Sequence, residues 1–315
     1  MPDSGLPLED YRGELLAHCY RMLGSFQDAE DLVQETMLRA WGAADRYDPT
    51  RASLRTWLHR IATNACLTAL EGLARRPLPA GLVGASEDPR AAMVAHQEVP
   101  WLQPFPDRRG QDPAEAVVAR ETTRLAFAAA LQLLPPRQRA VLLLRDVLQW
   151  PASEVADALG TSVAAVNSAL QRARTGLVSA HSGAPTSNEP DGRDGRHLLD
   201  RYVQAFLAAD VSALARLLTD DAVLEMPPAL LWYVGRDHYA AFMRRVFALR
   251  GTRWRAVPVS ANGQMAFAAY ADDGAGGYAA HSLQVLSLTK HRVSHNVVFA
   301  DPALFPLFDL PASVS

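Results

Sequence analysis

The sequence predicts two all-α domains followed by one α+β domain, and three observations favour this order. Apolar residues recur at helical spacing over residues 8–73 and again over 114–177. Short alternating runs bounded by turn residues follow from residue 222 onwards, which is typical of strands. Segments rich in Pro, Gly or Ser at 78–113 and 179–196 separate the three parts. The length of 315 residues fits two or three domains of ordinary size.

Composition excludes several classes of protein. A hydrophobic fraction of 49% is that of a globular chain rather than a disordered one. No apolar run approaches the ~18 residues of a membrane span, and the N-terminus lacks a basic-then-apolar signal pattern. We therefore expect a cytoplasmic protein without a membrane partner.

The two cysteines, Cys19 and Cys66, lie in helical segments and lack the spacing of metal ligands. We expect them to be small buried apolar residues rather than metal or redox groups. No cofactor or metal is predicted from the sequence.

The first all-α part contains three amphipathic helices. Residues 8–23 form the first, and Gly24 ends it. Two more follow on either side of a turn at 46–50, where Pro49 biases Asp48 away from the helical region. Their buried faces carry apolar residues three and four positions apart. These are Ala29, Leu32, Val33, Thr36, Met37 and Ala40, then Leu54, Trp57, Leu58, Ile61, Ala65 and Leu70.

Charge differs sharply between these two helices. Residues 28–35 carry four acids and no base, whereas residues 39–76 carry seven Arg against three acids, a net +4. The overall net charge of −3 hides this contrast. An acidic helix followed by a basic, aromatic-bearing helix indicates two different partners.

The proline-rich segment 78–113 is too apolar at one point to be a simple spacer. Its prolines exclude long helices, but Trp101-Leu102-Gln103-Pro104-Phe105 is hydrophobic. This motif either docks on a neighbouring domain or contacts a partner, and the sequence leaves both open.

Residues 153–174 have the spacing of a helix-turn-helix. Val155, Ala156 and Leu159 face inward on the first helix, and Gly160 stands where a helix end needs a left-handed residue. On the second helix the predicted inward set is Val163, Val166, Leu170 and Ala173. The outward set is Ala164, Asn167, Ser168, Gln171, Arg172 and Arg174. Asn and Gln pair with adenine, and Arg pairs with guanine or phosphate, so we expect DNA in the major groove against this face.

The last part reads as helices followed by an antiparallel meander. Helices are predicted at 197–218 and 237–249, around a strand at 222–226. Asn262-Gly263 is a tight-turn sequence within the meander. The predicted strands of the meander are 253–261, 265–270, 278–288 and 292–299.

Three motifs in order resemble an extracytoplasmic-function sigma factor. They are DAEDLVQETMLRAW at 28–41, SLRTWLHRIATNACL at 53–67, and LPPRQRAVLLLRDVLQWPASEVADALGTSVAAVNSALQRAR at 134–174. The PWLQPFPD segment and the last part resemble the subgroup with a C-terminal SnoaL-like domain of NTF2 type. This implies helical region 2, helix-turn-helix region 4 and an α+β NTF2-like cone with a curved antiparallel sheet. The implied bounds are 1–77, linker 78–113, 114–178, linker 179–196 and 197–315.

The resemblance implies RNA polymerase core, through its β′ clamp helices and β, and promoter DNA as partners. The residues implied to bind polymerase are Asp31, Gln34, Glu35 and Leu38. Those implied to melt and read the −10 element are Arg51, Arg55, Trp57, His59, Arg60 and Asn64. Those implied to read the −35 element are Ser162, Ala164, Asn167, Ser168, Gln171, Arg172 and Arg174. Trp57 also falls on the apolar stripe, so it is either core or a base wedge.

One departure concerns the end of the −10 helix, which many relatives finish in a run of arginines. Here that stretch contains Glu71 and Gly72 ahead of Arg75 and Arg76. The basic contribution near the upstream edge of −10 should be weaker than typical.

The C-terminal domain admits three interpretations: a regulator of the sigma regions, an interaction module, or a small-molecule isomerase or cyclase. No spacing fixes a catalytic pair, and we do not expect an enzyme. The expected role is regulation, through a small-molecule ligand or an intramolecular contact. Candidate pocket residues are Glu225, Met226, Trp232, Tyr233, Asp237, His238 and His281.

Overall fold

The computed structural model describes residues 6–107, 123–181 and 192–315. The chain divides into two compact units, each assembled from two stretches of sequence. The first, here the helical unit, comprises 1–76 and 108–184, and the second, here the cone unit, comprises 77–107 and 185–315. The part of helix 114–134 that precedes residue 123 lies outside the described residues, as does most of linker 179–196. No helix in the described ranges is both long enough and apolar enough to cross a membrane.

Three helices form the N-terminal part of the helical unit, as predicted. Gly24 adopts a left-handed φ of +71° and ends the first helix. Ser25 and Ser53 cap the next two, because each hydroxyl accepts an amide hydrogen bond from three residues on. The helices are α1 (Arg12–Leu23), α2 (Phe26–Gly42) and α3 (Leu54–Ala69).

Four further described helices complete this unit. Pro136 occupies the first turn of its helix, where its missing N–H costs nothing. The predicted helix 137–148 is shorter than expected, because it widens after Leu142 into a π-helical turn over Leu143–Val147. The helices are α4 (Leu125–Gln132), α5 (Pro136–Leu142), α6 (Ala152–Leu159) and α7 (Val163–His181).

Arg139 on α5 joins the two halves of the helical unit. Its guanidinium is buried and donates to the carbonyl of Met22 at the end of α1, and to Leu134 O at 3.1 Å. It also bonds Gln132 Oε1 at 2.7 Å, and Gln132 in turn donates to Arg21 O. Burial lowers the pKa of Arg139 to about 10, so the group stays charged at neutral pH. A fixed cation thus satisfies carbonyls from both halves.

Two histidines meet in the core between α1 and α3. The His18 and His59 rings touch edge to face at 5.3 Å, and His18 Nε2 lies 2.9 Å from Thr63 Oγ1. Burial holds the pKa of His18 well below its usual range and lowers that of His59 to about 4. Both imidazoles are therefore neutral near pH 7.

The cone unit contains three described helices and a seven-stranded sheet. The predicted helix 197–218 is broken, because Ala209 takes a left-handed φ of +51° and the chain restarts at Asp210, whose carboxylate caps the next helix. The helices are α8 (Gly192–Leu207), α9 (Val211–Leu217) and α10 (Arg236–Arg250). The strands are β1 (Leu218–Glu225), β2 (Trp232–Val234), β3 (Trp254–Ala261), β4 (Gln264–Asp272), β5 (Tyr278–Leu288), β6 (Val293–Phe299) and β7 (Ser313–Val314).

The sheet order is β2-β1-β6-β5-β4-β3, with β7 paired to β5. Strands β3 to β6 form the predicted antiparallel meander, and Asn262-Gly263 makes its first turn with positive φ at both residues. The expectation of an entirely antiparallel sheet is wrong at one place: β1 pairs with β6 in parallel. The curved sheet is therefore mixed.

A polar cluster lies inside the cone unit. The hydroxyls of Tyr202 and Tyr239 are hydrogen-bonded to each other, and Asn296 Nδ2 donates to both. Gln284 Oε1 accepts from Asn296 at 2.9 Å. Burial raises the pKa of Tyr239 to about 12, so these phenols remain protonated. Hydrogen bonds between the helices and the sheet thus tie the interior together.

Residues 77–107 fold as part of the cone unit, and they reach both edge strands of its sheet. The Ser86 amide donates to Trp232 O on β2, and the Asp107 amide donates to Ser260 O on β3. Leu102 and Phe105 are buried, at 0% and 6% exposure. Of the two readings of this motif, the structure shows docking on a domain of the same chain.

Replacing Arg139 should destabilise the helical unit. In Arg139→Met the carbonyls of Met22 and Leu134 lose their donor, and we expect a loss of about 3 kcal/mol in the free energy of unfolding, because buried unpaired polar groups are costly. Urea titration followed by helical circular dichroism measures it. Arg137→Met, at an exposed position on the same helix, is the control. Equal midpoints for the two variants would contradict the role of Arg139.

The histidine pair predicts a pH dependence of stability. Because burial lowers the folded-state pKa, the stabilisation is complete above the unfolded value of about 6.5 and declines as pH falls towards 4. Between pH 7.5 and 4.5 the wild type should lose about 2–3 kcal/mol more than His59→Gln, whose side chain does not titrate. Urea unfolding of both proteins at both pH values tests this, and parallel losses would show that His59 is not responsible.

Candidate nucleic-acid interface

The helix-turn-helix is formed by α6 and α7 as predicted. Gly160 has a left-handed φ of +60° between them, and the Ser162 hydroxyl accepts from the Ala165 amide at the start of α7. Val155 and Ala156 are buried on α6. Val166, Leu170 and Ala173 are buried on α7, so one side of this helix is fixed against the unit.

The opposite side of α7 presents donors and acceptors without any carboxylate. Residues 163–181 contain no Asp or Glu. The exposed positions on this side are Ser162, Ala164, Asn167, Ser168, Gln171 and Arg172. This combination suits base edges and phosphates in a major groove.

Two predicted positions on α7 differ in the structure. Val163, expected to be buried, is 44% exposed, because it lies at the first turn, ahead of the part that packs on α6. Arg174 makes a bidentate ion pair with Asp146, with Nε and Nη2 at 2.9 and 2.7 Å from its carboxylate oxygens. Arg174 therefore links α7 to the π-helical turn Leu143–Val147, and its guanidinium is already engaged by Asp146.

A second polar surface lies on α3 and the turn before it. Arg51, Arg60 and Asn64 are exposed there. Arg55 is also exposed and pairs with Glu14 on α1 at 2.7 Å. The surface therefore has cations for phosphates, one of which is partly neutralised.

Trp57 is neither a fully buried core residue nor a fully exposed base wedge. Its side chain is half-buried, and its ring stands 5.2 Å from that of Tyr47 at 36°. Two aromatic rings thus meet beside the exposed arginines. Unstacked bases bind such rings through their faces.

His59 does not belong to this surface. It was expected to contact DNA, but its side chain is 1% exposed and packs against His18. The reason is its place on the helix, because residues 58, 59, 62 and 66 share the buried face. We remove His59 from the candidate set.

The acidic helix α2 presents a mixed surface. Asp31 and Gln34 are exposed, while Glu35 is half-buried and pairs with Arg39 at 2.6 Å. Leu38 is 50% exposed, and Trp41, one turn later, is 40% exposed. Sequence reasoning missed Trp41, although its i+3 spacing from Leu38 could have indicated a shared apolar patch.

Three of the candidate pocket residues in the cone unit contact residues 77–107. Glu225 is 3% exposed; its Oε2 accepts from the Ala80 amide at 2.8 Å, and its Oε1 lies 2.9 Å from His295 Nε2. Trp232 Nε1 donates to Val83 O at 2.9 Å, and the Tyr233 hydroxyl donates to Asp88 O at 3.0 Å. All three hold backbone groups of the linker.

The other four candidate pocket residues have different surroundings. Met226 is buried, and Asp237 is exposed. His238 Nδ1 bonds Val234 O within its own turn. His281 packs edge to face on Trp254 at 5.1 Å, and burial lowers its pKa to about 4.

Sequence reasoning missed three residues of the cone unit that also hold the linker, namely Arg245, Asn262 and Gly263. Arg245 Nη1 donates to the carbonyls of Pro89 and Ala91, at 3.1 and 2.6 Å. Asn262 Oδ1 accepts from the Phe105 amide at 2.9 Å, and the Asp107 carboxylate accepts from the Gly263 amide. Such contacts leave no periodic pattern in the sequence.

Three protein-family descriptions match this chain: Sigma-70 region 2 over residues 8–76, Sigma-70 region 4 over 124–177, and SnoaL-like domain over 199–296. The chain is 52% identical over 310 residues to the ECF RNA polymerase sigma factor SigG of Mycobacterium tuberculosis, covering 97% of this chain and 83% of that protein. It is 31% identical over 241 residues to SigJ of the same organism, covering 75% and 70%.

The solved structures lead to the same family. The crystal structure of the Mycobacterium tuberculosis extracytoplasmic function sigma factor SigJ matches with a TM-score of 0.65 at 25% identity, covering 96% of this chain and 98% of that chain. Together with the helix-turn-helix and the basic α3 surface, these likenesses are decisive. The chain belongs to the ECF RNA polymerase sigma factors and carries a SnoaL-like domain after region 4.

Proposed function

We propose that this alternative sigma factor uses its three exposed surfaces for three separate contacts. The α2 surface of Asp31, Gln34, Glu35 and Leu38, extended by Trp41, docks on the β′ clamp helices of RNA polymerase core. The apolar pair Leu38 and Trp41 at its centre supplies buried contact area, which exposed charged groups alone do not supply. The protein acts in the cytoplasm, where polymerase and promoters are.

The α3 surface reads the −10 element as single strand. The guanidinium groups of Arg51, Arg55 and Arg60 follow phosphates, and Asn64 offers both a donor and an acceptor to a base edge. Trp57, which is half-buried against the ring of Tyr47, stacks on an unpaired base.

The α7 surface reads the −35 element in duplex form. Asn167 and Gln171 are the side chains suited to adenine, and Arg172 is suited to guanine or phosphate. Val163, exposed at the first turn, adds an apolar group that fits a thymine methyl. Arg174 is left out because Asp146 occupies it.

We further propose that the SnoaL-like domain regulates initiation by holding the linker between regions 2 and 4. One observation carries this: side chains of that domain bind the linker backbone at Ala80, Val83, Asp88, Pro89 and Ala91. Only three residues, 77 to 79, separate the end of region 2 at residue 76 from the first of these contacts.

Holding the linker matters because the two promoter elements are far apart. Elements named −10 and −35 lie about 25 base pairs from each other, or ~85 Å at 3.4 Å per base pair. Regions 2 and 4 instead pack together through Arg139. Both regions reach DNA only if they separate, and a released linker permits that. We therefore infer that the domain restrains initiation.

The alternative of a small-molecule enzyme has less support. A general base needs a free carboxylate or imidazole in reach of a substrate. Both oxygens of Glu225 are engaged, by Ala80 and His295, and His238 bonds its own turn. Glu225 is better explained as a residue that binds the linker.

Arg172→Ala should weaken binding to −35 duplex by about 1–3 kcal/mol and flatten the preference at one base pair, if the guanidinium binds a base edge. Fluorescence titration with a promoter duplex selected from genomic DNA by the holoenzyme measures it. Arg174→Ala is the matched control, and it should lower the midpoint of urea unfolding rather than change base preference. A loss that is equal for every sequence would identify Arg172 as a phosphate contact.

Arg245→Ala should release part of the linker, because the carbonyls of Pro89 and Ala91 lose their donor. We expect faster proteolysis within residues 77–107 and severalfold higher promoter-specific transcription with core polymerase. The control is Arg244→Ala, an exposed neighbour on the same helix. A released linker with unchanged transcription would exclude regulation by this contact.

A further inference from the structure

The chain's two cysteines meet in the core of region 2. Cys19 lies on α1 and Cys66 on α3, and both have 0% exposure. Its hydrogen bond with Cys19 is the largest cause of the raised pKa of the Cys66 thiol, which puts the two side chains next to each other. They are separated by 46 residues of sequence, and no other cysteine occurs among the 315 residues.

Neighbouring contacts fix the register that brings the thiols together. Glu14 on α1 pairs with Arg55 on α3 at 2.7 Å, and His18 on α1 bonds Thr63 on α3 at 2.9 Å. The two helices therefore run side by side in the same direction. Cys19 follows His18 directly and Cys66 comes one turn after Thr63, so contacts other than their own hold the two cysteines at nearly the same level along the packed helices.

We propose that Cys19 and Cys66 are a redox site that a hydroperoxide converts into an α1–α3 disulfide, with a changed presentation of α3 to DNA. One thiolate attacks the peroxide O–O bond, takes one oxygen as a sulfenic acid and releases the other as water. The second thiol then displaces the sulfenic oxygen as water and forms the S–S bond. The two thiols lose two electrons and two protons, and hydrogen peroxide becomes two waters.

The surroundings keep the pair reduced until the helices move. The hydrogen bond with Cys19 and then burial hold the pKa of Cys66 well above its usual range, while the guanidinium of Arg139 opposes this. A buried, protonated thiol reacts slowly. Oxidation therefore requires local separation of α1 from α3. The rate of oxidation measures how often this separation occurs.

The disulfide would change the part of region 2 that carries the −10 surface. An S–S bond is about 2.05 Å long, much shorter than a contact between two thiols, and we infer that α3 shifts against α1 as the bond closes. Arg55 and Arg60 lie on this helix. This consequence rests on the proposed reading of −10 DNA by α3, whereas the covalent step does not.

The covalent step is tested on the full-length protein. Reduced protein is exposed to hydrogen peroxide, denatured, alkylated with iodoacetamide and weighed by mass spectrometry. We expect a monomer that lacks two hydrogens, carries no alkyl group and regains both thiols with dithiothreitol. Complete alkylation of both cysteines, sulfinic acids, or a disulfide-linked dimer would overturn the proposal. This test needs only the wild type, so its outcome does not depend on whether cysteine variants fold.

The consequence is tested with the same samples on single-stranded DNA of the −10 element, taken from a promoter selected by the reduced holoenzyme. Oxidised wild type should bind severalfold more weakly than reduced wild type, and Cys66→Ala should bind equally well before and after peroxide. Equal binding by the oxidised and reduced wild type would overturn the change in α3. Absence of binding by the reduced protein would instead refute the proposed −10 surface and leave the covalent result standing.

Discussion

The linker backbone satisfies only part of its hydrogen bonds within itself, and much of this molecule depends on that constraint. Proline fills six of the 31 positions from 77 to 107, which removes donors and prevents any helix longer than the turn at Pro79–Gly81. Several of the linker's amides and carbonyls bond to groups outside the linker instead. Their partners are Glu225, Trp232 and Arg245, so the segment that joins regions 2 and 4 becomes part of another domain. The regulatory role that we propose rests on these contacts with the linker backbone rather than on a pocket.

Local patterns were enough to predict much of the fold. Helical spacing located α1 to α3, and the glycine requirement at residue 160 located the helix-turn-helix. The Asn262-Gly263 turn and the strand at Tyr278–Leu288 also appear where the sequence predicts them. In each case the information lies within a few residues, because turn chemistry and periodicity are local properties.

Long-range features could not be predicted in the same way. The parallel pairing of β1 with β6 joins strands about 70 residues apart, and no local pattern encodes it. His59 looks polar in a basic helix, yet its phase places it in the core. Arg245 and Arg244 are indistinguishable in sequence, although Arg245 alone of the two donates to Pro89 and Ala91. These outcomes depend on tertiary partners.

The two units interleave along the chain, and this has a consequence for synthesis. Residues 77–107 belong to a unit whose remaining part begins at 185, and the helical unit likewise needs residues from both sides of the linker. A ribosome therefore releases Phe105 more than a hundred residues before it completes the strand β3 and Asn262, which hydrogen-bonds to the Phe105 backbone. Until then the apolar side chains of this segment stay exposed on the nascent chain. Exposed apolar segments are prone to aggregation and are bound by chaperones. The cone unit therefore cannot fold in the order in which its residues are synthesised.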